Sequence, residues 1–174
     1  RACAERASRS LTVSKRLLIA TSIYPPDVGG PAAHFASLAE EFKRRGWDVR
    51  VLVRPGFSVF LKTIRRGDAV LAHGTPKILL PLFCARLLRR FRLVVRIGGD
   101  FFLERAVESG KFSGTLRNFH TGYKLRVTSC QTKLLLWFLG TVLRKADAVV
   151  FTSPMLRELY VPLFGVRQER THTI

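Results

Sequence analysis

Short, mostly apolar runs alternate along this chain with segments that carry an apolar stripe at helical spacing. The runs are RLLIAT (16–21), VRVLVR (49–54), DAVLAHG (68–74), RLVVRIGG (92–99) and DAVVFTS (147–153). A strand with apolar residues on both faces needs cover on both faces, and helical crossovers between parallel strands supply it. The alternation predicts an α/β fold: a Rossmann-like parallel sheet with helices on both faces. At 174 residues the chain is long enough to bury a sizeable core.

The helical segments carry their own punctuation. In PAAHFASLAEEFKRRG (31–46), Pro31 suits the first turn and Gly46 the end. Phe35, Leu38, Ala39 and Phe42 share one face, with Glu40, Glu41, Lys43 and Arg44 mostly opposite. FSVFLKTIRR, KILLPLFCARLLRRF, TKLLLWFLGTVLRKA and PMLRELYVPLF read as further helices. Pro81 is expected to kink the second of these or to lie near its start. Residues 100–127 read as irregular, with Gly110, Gly114 and Gly122 as breakers, and the tail RQERTHTI shows no closing element. Residues 1–14 read as a flexible basic segment ahead of a domain at 15–174.

In such a sheet, ligands collect beyond the carboxyl ends of the strands. There lie Tyr24 to Gly30, His73 and Gly74, Gly98 to Asp100, and Thr152 with Ser153. Gly29 and Gly30 can close a tight turn, or can let an anion approach the open N-terminus of the following helix. The dinucleotide pattern GxGxxG and the phosphate-loop pattern GxxxxGK[ST] are both absent. Neither a Rossmann dehydrogenase nor a P-loop ATPase is supported.

Thirty Lys and Arg face twelve Asp and Glu, a net charge of +18. That excess attracts nucleic acid, anionic lipid head groups or phosphorylated small molecules. Many of the basic residues cluster toward helix C-termini, where cations are favourable anyway. Interleaved with Phe57, Phe60, Leu87 and Leu88, they can also dock on anionic lipid. A non-catalytic basic module for membrane or nucleic acid is therefore an alternative. Against nucleic acid, the sequence carries no zinc finger, helix-turn-helix or RNA-binding aromatic signature. The longest apolar runs fall short of the ~20 residues a spanning helix needs. The three cysteines are isolated, without metal spacing, and fit a reducing compartment. The expected location is cytoplasmic, or peripheral on the inner face of the membrane, and no metal or cofactor is implied. Cys84, inside an apolar run, is expected to be a small core residue.

The run LLIATSIYPPDVGGPAAHFASLAEEFKRRGWDVRVLV resembles the opening of family 4 glycosyltransferases of the GT-B fold. That family begins with a strand, a P-P-x-x-G-G loop and a helix ending near R-G-x-x-V. RKADAVVFTSPMLRELY is similar to a later element, a basic-Ala-Asp run entering a strand that closes on a Ser.

The resemblance implies two Rossmann-like halves facing each other across a cleft, the N-terminal one holding the acceptor. The C-terminal half binds the nucleotide sugar, usually through E-x7-E, a motif not found here. The chain is thus expected to be the acceptor-side half of a retaining glycosyltransferase, its donor-binding domain missing or separate, and inactive alone. Its acceptor would be lipid-linked or a growing polysaccharide. By position, Gly29 and Gly30 would line the cleft near the donor diphosphate. Asp100 would take the catalytic place where the family often has His, positioning a sugar hydroxyl; its other reading is the N-cap of FFLERAVE. His73, with Gly74 beside it, would meet the acceptor or be a turn histidine. Arg96 would face an anion or stack on the sheet, and Ser153, closing the fifth strand, is expected among the substrate-binding residues.

Overall fold

The computed structural model describes residues 15–110, 112–114, 118–119 and 130–174. The expectations for residues 1–14, including Cys3, and for Gly122 lie outside those residues, as does most of the stretch 111–129. Among the described residues one sheet holds β1 (Arg16–Thr21), β2 (Asp48–Val53), β3 (Ala69–His73), β4 (Arg92–Ile97), β5 (Ala148–Phe151) and β6 (Thr171–Thr173). Their spatial order is β2-β1-β3-β4-β5-β6. Every pairing is parallel.

The helices are α1 (Gly30–Arg44), α2 (Phe57–Thr63), α3 (Pro76–Leu88), α4 (Phe101–Glu108), α5 (Cys130–Lys145) and α6 (Pro154–Phe164). β1 is buried along its whole length. Its Leu18 and Ala20 face the larger core layer, where α2, α3, α5 and α6 bring Phe60, Leu82, Leu143 and Tyr160. Its Leu17 and Ile19 face a smaller layer closed by Phe35 and Ala39 of α1. Each large side chain so buried contributes about 1.5–3 kcal/mol. The sheet is Rossmann-like and covered on both faces, but unequally.

Three local expectations change. The tail closes: Thr171–Thr173 joins the sheet beside β5, after a 3-10 turn at Gln168–Arg170. Thr171 ties it down, its hydroxyl donating to the Gln168 carbonyl (2.7 Å) and accepting from Arg157 Nε (2.8 Å). Three residues are too few to show a period. Residues 101–108 are helical rather than irregular, because Asp100 caps them. Cys84 is exposed rather than in the core. α3 is apolar nearly all round, so spacing alone could not tell its inner face (Leu79, Leu82) from its outer one (Leu80, Cys84, Leu87). Pro81 lies inside α3, which starts at Pro76.

Candidate functional site

The strand order reverses between β1 and β3, and the loops leaving those two strands part there. Such a switch point is where open parallel sheets bind ligands. A cleft of about 930 Å³ opens at this place. Ser22 and Ile23 wall it after β1, His73 and Thr75 after β3, and Phe101 and Glu104 from α4. Asp27, Val28 and Pro31 form one lip, with Lys77 and Arg105 among the charged groups around it. A smaller groove of about 450 Å³ runs along α6 beside Arg157, Glu158 and Gln168 and contains none of the nominated residues.

The loop before α1 is held from several sides. Asp27 N–H donates to the Tyr24 carbonyl at 3.0 Å, and the Pro25–Pro26 peptide is cis. Arg54, just past β2, donates from Nε to the Ser22 carbonyl (3.0 Å) and from Nη2 to Asp27 (3.1 Å). A side chain on Gly29 would begin 3.2 Å from Ile23 Cδ1, whereas one on Gly30 would meet nothing within 4 Å. Gly29 has no side chain to cap α1, and no acidic residue sits in the first turn. The first turn of α1 therefore offers no acid of its own to the positive end of the helix dipole.

His73 ends β3. Its Nδ1 lies 3.0 Å from Ser22 Oγ, and its ring meets Phe35 edge-on at 5.6 Å. Burial, and then the charge of Arg96, lower its pKa from 6.5 to about 4, so the imidazole is neutral. Arg96 sits directly across the ladder from His73. Alternation along β4 turns it to the α1 face, where its guanidinium stands 5.4 Å from the Phe35 ring centroid. The residue is only 8% exposed. Among the described residues, nothing accepts a hydrogen bond from its Nε or Nη1. Desolvating a charge costs several kcal/mol, and a desolvated cation–π contact returns about 2 kcal/mol of it. The same burial lowers the Arg96 pKa. Thr75 Oγ1, in the cleft wall, is also buried without a partner among the described residues.

The loop after β4 reads Gly98-Gly99-Asp100. A side chain on Gly98 would begin 2.8 Å from Arg96 Nη1, and Gly98 itself is exposed. A side chain on Gly99 would run into Glu104 Oε1. Asp100 is 4% exposed; its Oδ1 accepts from the backbone N–H of Phe102 and of Leu103, both at 2.9 Å. The Tyr160 phenol is pushed up by its burial and by the Asp100 carboxylate beside it. Glu104, one helical turn beyond Asp100, faces the cleft. Burial, then the charges of Asp100 and Glu108, raise its pKa.

Of the residues nominated from sequence, His73 lines the cleft, and Gly29 and Gly30 lie in its lip between Val28 and Pro31. Arg96 stands behind His73. Gly74 has a packing role: a side chain there would strike Ile97 Cδ1 and the Arg96 carbonyl, to which its own N–H donates at 2.8 Å. Asp100 and Ser153 both cap helices; Ser153 Oγ accepts from Leu156 N–H at 3.2 Å and is not part of the cleft wall. Sequence reasoning missed Ser22, Arg54 and Glu104. For Glu104 a signal existed: an acid one turn after a Gly-Gly-Asp cap, where the missing side chain at 99 makes room for it.

Among the described residues no group of three metal-binding side chains forms, and no helix is long and apolar enough to cross a membrane. Residues 28–174, most of the chain, match the family model described as Glycosyltransferase Family 4. No curated protein sequence matches the chain.

Proposed function

This chain belongs to glycosyltransferase family 4, and from that premise we propose that it supplies the acceptor-side wall for retaining transfer of a sugar from a nucleotide-sugar donor. The observation that carries this reading is the open N-terminus of α1 at the switch point, with clear space around Gly30. Backbone N–H groups and a helix dipole there suit a leaving diphosphate. The bond from the sugar's anomeric carbon to the diphosphate breaks, and the acceptor oxygen bonds on the same face. The acceptor's proton passes to the diphosphate, so no side chain need act as a nucleophile. The rate then comes from positioning and from stabilising the leaving charge.

The acids of the G-G-D-F-F-L-E loop divide the remaining work. Asp100 is a positioning residue, since its carboxylate holds the start of α4. Glu104 faces the cleft and suits a hydrogen bond from a sugar hydroxyl. A donor-binding half closes the open side of the cleft, and the present domain alone binds without turning over.

A lipid-borne acceptor is favoured by the outer face of α3 and α5. Leu80, Leu87, Leu134 and Trp137 are each more than half exposed there. Neither helix carries an Asp or Glu, while Lys77, Arg86, Lys133, Arg144 and Lys145 do lie on them. Exposed apolar groups on two helices whose own charged residues are all cationic match an anionic bilayer.

The test is a ¹⁵N NMR titration of the chain with uridine and guanosine diphosphates. Shifts at the Gly30 and Ala32 amides, abolished in Gly30→Glu, are expected. Unmoved amides at millimolar nucleotide would overturn the diphosphate assignment. Turnover of nucleotide sugars by the isolated chain would overturn its inactivity alone. Loss of co-sedimentation with anionic vesicles in Leu134→Asp/Trp137→Asp tests the lipid-facing surface; unchanged binding refutes it.

A further inference from the structure

We propose that Arg96 is the receptor for an anionic group on the acceptor, a phosphate or carboxylate, in a site distinct from the helix terminus that takes the donor diphosphate. Three observations converge. The residue is more than nine-tenths buried, yet its Nε and Nη1, themselves buried, have no acceptor among the described residues. Gly98 overlies it at the carboxyl edge of the sheet, exposed and without a side chain, and a Cβ there would begin 2.8 Å from Nη1. A second unmet polar atom, Thr75 Oγ1, is buried in the adjoining cleft wall.

The surroundings favour an incoming anion over a protein one. Ser22 and the neutral His73 offer hydrogen bonds beside the guanidinium without a competing charge. His34, one turn into α1, also feels Arg96, and its pKa is lowered by burial and by that charge. Of the acids in the cleft wall, Asp27 is paired with Arg54, and Glu104 lies against Gly99. Nε–H and the Nη1 hydrogens point to different sides of the planar guanidinium, and each suits a charge-assisted hydrogen bond to an oxygen of an incoming phosphate or carboxylate. The acceptor is thereby assigned to the acidic class, such as a phosphorylated lipid carrier or a uronic-acid-bearing glycan.

The inference rests on the sugar-transfer reading only for the word acceptor; the anion site itself is read without turnover. The experiment titrates the chain with inorganic phosphate, alone and in the presence of uridine diphosphate. Phosphate is expected to shift the Arg96 Nε–H and His73 ring signals and to raise the melting temperature. In Arg96→Met the His73 ring shift and the gain in melting temperature are expected to be lost at the phosphate concentrations that saturate the parent, with affinity at least about tenfold weaker. That variant is expected to melt higher than the parent in phosphate-free buffer, because an unpaired buried charge has been removed. Uridine diphosphate should add its Gly30 shifts without displacing phosphate. Displacement would mean that Arg96 holds the donor diphosphate, overturning the acceptor assignment. No phosphate response at Arg96, or a lower melting temperature for Arg96→Met, would overturn the site altogether. Failure of the nucleotide at Gly30 with phosphate still bound at Arg96 would strike the diphosphate assignment alone.

Discussion

The carboxylate of Glu104 occupies the space that a side chain on Gly99 would need. The obstacle is the far end of a flexible chain, so Gly99→Ala should swing the acid into water at a cost of under about 1 kcal/mol. Its raised pKa should then fall toward the ordinary carboxylate range, which a ¹³C titration of the Glu104 carboxyl would register. Gly74→Ala is the contrast. There a methyl meets the Arg96 backbone carbonyl at 2.9 Å, and overpacking of about 1–3 kcal/mol is expected in urea unfolding.

Asp100→Ala removes both hydrogen bonds to the first turn of α4. A loss of about 1 kcal/mol is expected, with weakened hydrogen-exchange protection at Phe102 and Leu103. Asp100→Asn caps nearly as well. If the residue works by positioning, the asparagine variant keeps the stability and most of the nucleotide-sugar transfer of an assembled enzyme. A collapse of transfer in a stable Asp100→Asn would assign the carboxylate a direct contact with sugar.

His73 makes stability depend on pH. Its folded-state pKa is about 4 against an ordinary 6.5. Between those values the unfolded chain binds the extra proton, so stability is full above pH 6.5 and falls as pH drops toward 4. The loss is at most about 3 kcal/mol. Glu104, with a raised pKa, pulls the other way, so the measurement is a difference. Parent and His73→Gln should lose stability unequally between about pH 7 and about pH 4, the parent more. Equal slopes would refute the neutral, desolvated imidazole.

At the opposite end of the sheet, Arg16 Nη1 lies 2.9 Å from Asp68 Oδ2, with both side chains under a tenth exposed. Asp68→Ala leaves the buried guanidinium only the half-exposed Asp48 and the Thr63 carbonyl, and up to about 3–5 kcal/mol should be lost. Asp48, 3.3 Å from Arg16 Nε, is 45% exposed. Asp48→Ala should cost under about 1 kcal/mol. Thermal melts of the two variants decide whether burial or proximity sets the strength of this network.

The strands were legible because most of them bury both faces, and the switch-point rule then located the loop at Gly29 and His73 before any side chain was placed. What stayed hidden has physical reasons. The three residues of β6 are too few to display a period, and α3 is too uniformly apolar to reveal that Cys84 points outward. Arg54 reaches Asp27 across 27 positions, a pairing that no local pattern announces. For Asp100 the sequence already offered the cap of FFLERAVE beside a catalytic role, whereas Ser153 stood only as a strand-end polar residue. The hydrogen bonds they make identify both as helix caps, so the composition of a loop told less than its amides did.

Phe35 belongs at once to the small core under α1 and to the walls around Arg96 and His73. Among the described residues a single helix covers that side of the sheet, and no other described element packs over the ring at the carboxyl edge. Whatever anion settles on the guanidinium also tightens the layer beneath it, and loosening that layer weakens the grip on the anion. Evolution cannot tune one without touching the other, so this aromatic ring sets the exchange rate between durability and ligand affinity for the whole face.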